Sequence, residues 1–338
     1  MPGYMVDSYV RLAQMRFLRK KGGAKSMDGE DFSKDDFVWE FYEKWIEVYK
    51  RGSVRDVTLR KYEMTCGWIK RLIPEMRIKD MNRINYQKLI NAYSECHEKQ
   101  TTMDFHHQLK GALLDAVDEG LLPRDPTRKA IIKGKAPRKK KPKYLNKYDL
   151  HKLVESLDLT YTNGITWEWL IDLIAKTGLR LSEALAVTPA DFDFAHQTLS
   201  VNKTWDYKNG GGFSPTKNKS SIRKVELDWR TVAQFSELTS GMESDKPIFI
   251  KDGQATYNST INAVLTKYCQ KAGIPVITIH GLRHTHASML LYEGVSIASV
   301  ARRLGHSSIN TTQRVYIHVI QELENADVDV IMRSLLGL

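Results

Sequence analysis

The chain has 338 residues, with 51 Lys and Arg against 40 Asp and Glu, for a net charge of +11. That excess favours a polyanionic partner, nucleic acid ahead of a membrane surface, and the length allows two domains with a sizeable core. Three scattered cysteines, Cys66, Cys96 and Cys269, argue against a disulfide framework or a Cys-x-x-Cys metal site and for a reducing compartment. No signal peptide opens the chain and no apolar run reaches the ~18 residues of a membrane span, so the expectation is a cytosolic protein with no membrane partner.

Residues 1–36 carry a basic cluster, Arg11, Arg16, Arg19, Lys20, Lys21 and Lys25. The cluster fits either a reduced DNA-contacting arm or a solvated terminus. Residues 37–132 then turn helical. Phe37, Phe41, Trp45 and Val48 form one apolar stripe, and further helices are predicted over Thr58–Ile73, Asn85–Glu98 and Thr101–Glu119, closed by Pro123 and Pro126. Four helices suffice for a small bundle. Residues 133–143, KGKAPRKKKPK, combine seven basic residues with two prolines and no acid, which predicts an extended linker. Its Arg138, Lys139, Lys140 and Lys141 gain by lying along phosphates, since each neutralised phosphate releases counterion; a plain solvated spacer is the competing reading.

Residues 144–338 read as a second domain. Helices are predicted over Asn146–Ser156, over Trp167–Thr177 and from Arg180 to Val187. Thr198–Tyr207 has strand composition, and Phe213–Thr216 and Ser221–Leu227 suggest a hairpin with Lys217 near its tip. On the residues alone, Lys219 and Lys224 compete with Lys217.

The densest chemistry lies in Thr278–His318, TIHGLRHTHASMLLYEGVSIASVARRLGHSSINTTQRVYIH. Helical spacing puts His280, Arg283 and His284 on one side and Leu282, His286 and Met289 on the other, which makes His286 a core histidine. Ile297, Val300, Ala301 and Leu304 form a second stripe ended by Gly305 at a C-cap, so His306 emerges at a helix end. Tyr316 follows on a short helix capped by Ser307 or Ser308. Arginine forks with imidazoles around them suit a phosphate, and a tyrosine hydroxyl can attack one.

With AKTGLRLSEALAV (175–187) and SPTKNKSSIRKVEL (214–227), these motifs resemble the tyrosine recombinase (phage integrase) family in order and spacing. The match runs through Arg180, Lys217, His280, Arg283, His306 and Tyr316, and the resemblance covers roughly residues 37–320. It implies a mainly α fold: an N-terminal helical core-binding bundle, then a mostly α catalytic domain with a small antiparallel β-sheet. It also implies a site-specific recombinase that cuts and rejoins DNA through a 3′-phosphotyrosyl link. Tyr316 would be the nucleophile, Arg180 and Arg283 the clamp on the non-bridging oxygens, and Lys217 the general acid for the leaving 5′-oxygen. His280 would be the acid/base partner and a phosphate ligand near Tyr316, and His306 a further donor to the phosphate, a split that the resemblance alone implies.

The resemblance implies no cofactor, metal or ATP. Glu183 and Asp191 do not make the acidic cluster of a two-metal site, and Glu183 is either a support for Arg180 or a surface ion pair. Implied partners are double-stranded DNA core or attachment sites and a homotetramer assembled on them, in the bacterial cytosol at the nucleoid; a host DNA-bending protein or an excisionase would be additional. An apolar tail, Val319–Leu338, would pack on its own domain or dock into a neighbouring protomer. The competing enzyme reading is a type IB topoisomerase-like or telomere-resolving enzyme. From another class comes a DNA-binding regulator that has lost its chemistry, whose eroded site would contrast with the filled positions here.

Overall fold

The computed structural model describes residues 32–136, 142–161, 164–208, 210–216, 218–251 and 254–316. The chain divides into two compact units, Met1–Arg138 and Lys139–Leu338. No helix among the described residues is long and apolar enough to cross a membrane.

The first unit packs helices α1 (Val38–Tyr49), α2 (Asp56–Leu72), α3 (Arg83–Ser94) and α4 (Lys99–Asp118). Glu40 closes the start of α1 by accepting from the Phe37 amide, 3.1 Å. Asn82 caps α3 by accepting from the Ile84 and Asn85 amides. The apolar face of α1 is Val38, Phe41, Tyr42, Trp45 and Ile46, buried against residues such as Ile69, Leu89, Leu109 and Leu113. Trp45 keeps its indole N–H satisfied by donating to Asp115, 2.7 Å. Val48 departs from the predicted stripe and is 59% exposed. At ~3.6 residues per turn it falls on the rim of that face in the last turn, beyond the reach of the bundle core.

In the second unit, α5 (Lys147–Ser156), capped by Asn146, precedes α6 (Trp167–Thr177). Buried residues run round α6, from Trp169 to Ala175, so it is the helix around which the domain core forms. Gly178 ends α6 in the left-handed region, φ 69°. The next helix, α7, spans only Leu181–Ala184, shorter than the predicted run to Val187.

The strands are β1 (Phe192–Asp193), β2 (Thr198–Val201), β3 (Lys203–Trp205), β4 (Phe213–Pro215) and β5 (Arg223–Glu226). They form two small antiparallel sheets, β1-β2-β5 and β3-β4. The expected pairing of 213–216 with 221–227 does not occur. β4 folds back on β3, with Trp205 opposite Phe213. Gly210, Gly211 and Gly212 supply the positive φ that this return needs. β5 instead pairs with β2, where Leu199, Val201 and Val225 turn into the core. Inward alternation decides the partner: β4 has no buried residue to offer the core.

The remaining helices are α8 (Trp229–Leu238), α9 (Asn258–Lys271), α10 (Ile279–Tyr292), α11 (Ile297–Leu304) and α12 (Ile309–Val315). α10 packs on α6, and α11 and α12 pack on each other. Val300, Leu304, Ala287, Leu291 and Tyr316 form a small separate core. Gly305 ends α11 at φ 66°, and of the two candidate serines it is Ser308 that caps α12.

Candidate active site

Three segments converge on one wall of the second unit. The turn after α6 brings Arg180, the face of α10 brings His280, Arg283 and His284, and the ends of α11 and α12 bring His306 and Tyr316.

Arg283 is 2% exposed, and both its terminal nitrogens donate to backbone carbonyls, to Gly178 at 2.7 Å and Leu304 at 2.6 Å. Those acceptors are available because both chain segments end helices there, where carbonyls lack helical partners. Burial and the neighbouring Arg180 lower its pKa, yet a guanidinium stays charged at neutral pH. Gly178 has a second reason to be glycine. A Cβ there would lie 2.7 Å from the His286 ring and 3.0 Å from Leu304.

Arg180 donates to Glu183 at 2.7 Å and to the Gly305 carbonyl at 3.3 Å, while Glu183 accepts from the Arg180 amide as well. Glu183 is buried and also pairs with Arg223 of β5, 3.0 Å. Sequence left Glu183 between support and surface pair; it is an internal brace linking α7 to the sheet. Arg223 itself went unnoticed in the sequence. It donates to the Arg303 carbonyl, 2.6 Å, and so ties β5 to the end of α11. Strand alternation carried the signal, because Arg223 shares the inward side of Val225.

Burial pushes the Glu183 carboxyl up, but Arg223, Arg180 and Arg283 together outweigh it and hold it below the ordinary carboxylate value. The stability this adds is therefore present above that ordinary value and lost as pH falls through the lowered one. Glu183→Ala would leave Arg223 buried without its anion. The expected cost is about 3–5 kcal/mol of unfolding free energy, read by chemical denaturation. A loss under about 1 kcal/mol would show the brace to be dispensable.

The histidines divide by role. His286 is satisfied in the core: Arg303 donates to its Nε2 at 3.0 Å, so Nδ1 carries the proton and donates to the Ala175 carbonyl, 3.0 Å. His306 is hydrogen-bonded through Nδ1 to Thr312, 2.8 Å. Burial and then the surrounding arginines hold His306 down to about 4, so its ring is neutral near pH 7. His280 is exposed as a residue, yet the protein packed about its ring, then Arg283 and Arg180, hold it below the usual histidine value.

Tyr316 follows the last turn of α12 and is 2% exposed. Burial pushes its hydroxyl up to about 12 against the pull of Arg283. Its oxygen lies 2.9 Å from Nδ1 of His284, a residue the sequence motif did not assign.

The wall thus holds fixed guanidiniums, neutral imidazoles and a phenol, which is chemistry for a phosphate and a nucleophilic oxygen. Among the described residues, no group of three His, Cys, Asp or Glu side chains is placed to hold a metal ion. Lys217 and the linker residues Arg138, Lys139, Lys140 and Lys141 lie outside the described residues, as does the tail 317–338.

Residues 143–322 match the model of the phage integrase family, and residues 38–94 match that of the phage integrase N-terminal SAM-like domain. The chain is 27% identical over 322 residues to a tyrosine recombinase XerC-like protein of Caldanaerobacter subterraneus, covering 85% of this chain and 80% of that one. It is 28% identical over 170 residues to the integrase of a Staphylococcus phage, covering 46% and 48%. Among solved structures, the Tn1549 transposon integrase in complex with transposon right end DNA superposes with a TM-score of 0.72 at 18% identity. That match covers 88% of this chain and all of the other, and at this identity it bears on the fold alone.

Proposed function

Because the chain belongs to the phage integrase family, the tyrosine recombinases that break and rejoin DNA, we propose that it integrates or excises a phage or other mobile element at specific sites. The observation that carries this reading is the convergence of Arg180, Arg283 and the Tyr316 oxygen on one wall from three separate segments.

In the proposed reaction, Arg180 and Arg283 hold the non-bridging oxygens of the scissile phosphate, where charge grows in the transition state. Both guanidiniums are anchored before substrate arrives, so little reorganisation remains at the moment of attack. His280 and the neutral His306 add donors to the same group. The Tyr316 oxygen bonds to phosphorus and the bond to the 5′-oxygen breaks, with Lys217 as the acid that protonates that oxygen. The 3′-phosphotyrosyl link keeps the bond energy for rejoining, so the cycle calls for no cofactor.

The first unit is proposed as the core-binding domain, and residues 133–143 as a linker tracking DNA phosphates. Replacing Arg138, Lys139, Lys140 and Lys141 with Ala should weaken binding on all sequences alike. The slope of log affinity against log salt should shallow by up to about 0.9 per lost phosphate contact. Binding titrations over a salt series read this directly, and an unchanged slope would make the segment a spacer. The working assembly is proposed as four protomers round two duplexes in the bacterial cytosol, with the tail docked on a neighbour. The test of the whole reading is a duplex carrying a repeat sought in the DNA that flanks the gene. Incubation should leave a protein–DNA adduct that survives denaturation, and two such duplexes should exchange strands.

A further inference from the structure

Two histidines one helical turn apart compete for the tyrosine. His280 stands at the start of α10, and its ring meets that of His284 edge to face, 4.7 Å between centroids. Only His284 reaches the tyrosine, through Nδ1 at 2.9 Å, with the ring planes 60° apart. We propose that His284 is the base that takes the Tyr316 proton during cleavage and returns it during rejoining. This deepens the recombinase reading and rests on it.

The geometry favours His284 in three ways. It touches the atom that must lose a proton, at a normal hydrogen-bond distance. It is held on the same rigid helix as Arg283, one residue on, so base and phosphate clamp move as one piece. And Tyr316 packs among Ala287, Leu291, Val300 and Leu304, which fixes the direction from which its oxygen meets the imidazole.

Among the described residues, the groups that face His284 are His280 and Arg283 on its own helix, Lys143 ahead of α5, His306 after α11, and Tyr316. Burial, then His280, Arg283 and Lys143, hold its ring down to about 4, so it is neutral and free to accept. A bound phosphodiester would place negative charge beside Arg180 and Arg283. That charge offsets the cations and raises the basicity of His284 when a proton must be taken. The steps balance: the Tyr316 O–H bond breaks, its proton goes to Nδ1, and the oxygen bonds to phosphorus. The leaving 5′-oxygen receives its proton from the separate acid. Rejoining reverses each transfer, and the imidazolium gives the proton back to the tyrosine.

The test uses the full chain, a nicked suicide duplex carrying the flanking repeat, and two forms of position 316. His284→Ala removes the base, and His284→Asn keeps an acceptor near Nδ1 that takes no proton. Both should cut at least about a hundredfold more slowly while binding the duplex as the parent does. Replacing Tyr316 by 2,3,5-trifluorotyrosine, whose phenol is far more acidic, should restore cleavage by the His284 variants about tenfold or more and change the parent little. A faster or unchanged His284→Ala would overturn the proposal and make the contact a resting latch. Slow cleavage that fluorination does not rescue in either variant would overturn it too, leaving a packing role. If the parent itself forms no adduct, it is the recombinase reading that fails.

Discussion

Tyr316→Phe should bind core-site DNA with near-parental affinity and form no covalent complex at all. The substitution removes one oxygen and keeps the ring among Ala287, Leu291, Val300 and Leu304. The fold loses a single hydrogen bond, to His284, whose half-buried ring can take up water in its place, so the stability cost should stay near about 1 kcal/mol. The proposed reaction, in contrast, loses its attacking atom. Gel shift reads the first effect and a denaturing gel the second. An adduct persisting in the variant would move the nucleophile elsewhere. Tyr292, 48% exposed at the end of α10, would then be the nearest candidate.

What the sequence revealed of this site follows from how local its determinants are. His280, Arg283 and His284 share a face because helix geometry requires it, and Gly305 and Ser308 mark helix ends by their own backbone chemistry. The α11 stripe of Val300, Ala301 and Leu304 is likewise a property of one turn-to-turn spacing. These features need no knowledge of distant partners. The family resemblance then supplied which of these residues belong together.

The features that escaped depend on pairings between remote segments. Arg223 lies forty residues after Glu183, and nothing near it announces a buried carboxylate as its partner. Which of two short neighbouring segments β5 joins was decided by the inward residues of β2, and the sequence reading paired it with β4 instead. His284 looked like a spare histidine because its partner arrives thirty-two residues later, after two helix ends have set the angle. His286, by contrast, was read as core from its face, and the two hydrogen bonds on its ring bear this out.

Lys217→Ala should slow cleavage by about 10²–10⁴-fold on ordinary DNA and recover most of that loss on a duplex whose scissile 5′-bridging oxygen is replaced by sulfur. An alkoxide is a poor leaving group unless a proton reaches it as the bond breaks. A thiolate leaves well without one, so the acid becomes redundant on the sulfur substrate. The arginines proposed to hold the phosphate cannot substitute, since their guanidiniums hold their protons and Arg283 is fastened to two carbonyls. The neutral His306 ring is a weak donor held against Thr312. Lys219 is the rival on chemistry. It opens the short turn Lys219–Ser221 and is exposed, so Lys219→Ala should cleave both substrates at nearly the parental rate. Single-turnover rates on the paired substrates separate the cases. Rescue by sulfur in Lys219→Ala rather than Lys217→Ala would reassign the acid. An equal defect on both substrates would mean that Lys217 binds the phosphate and donates no proton.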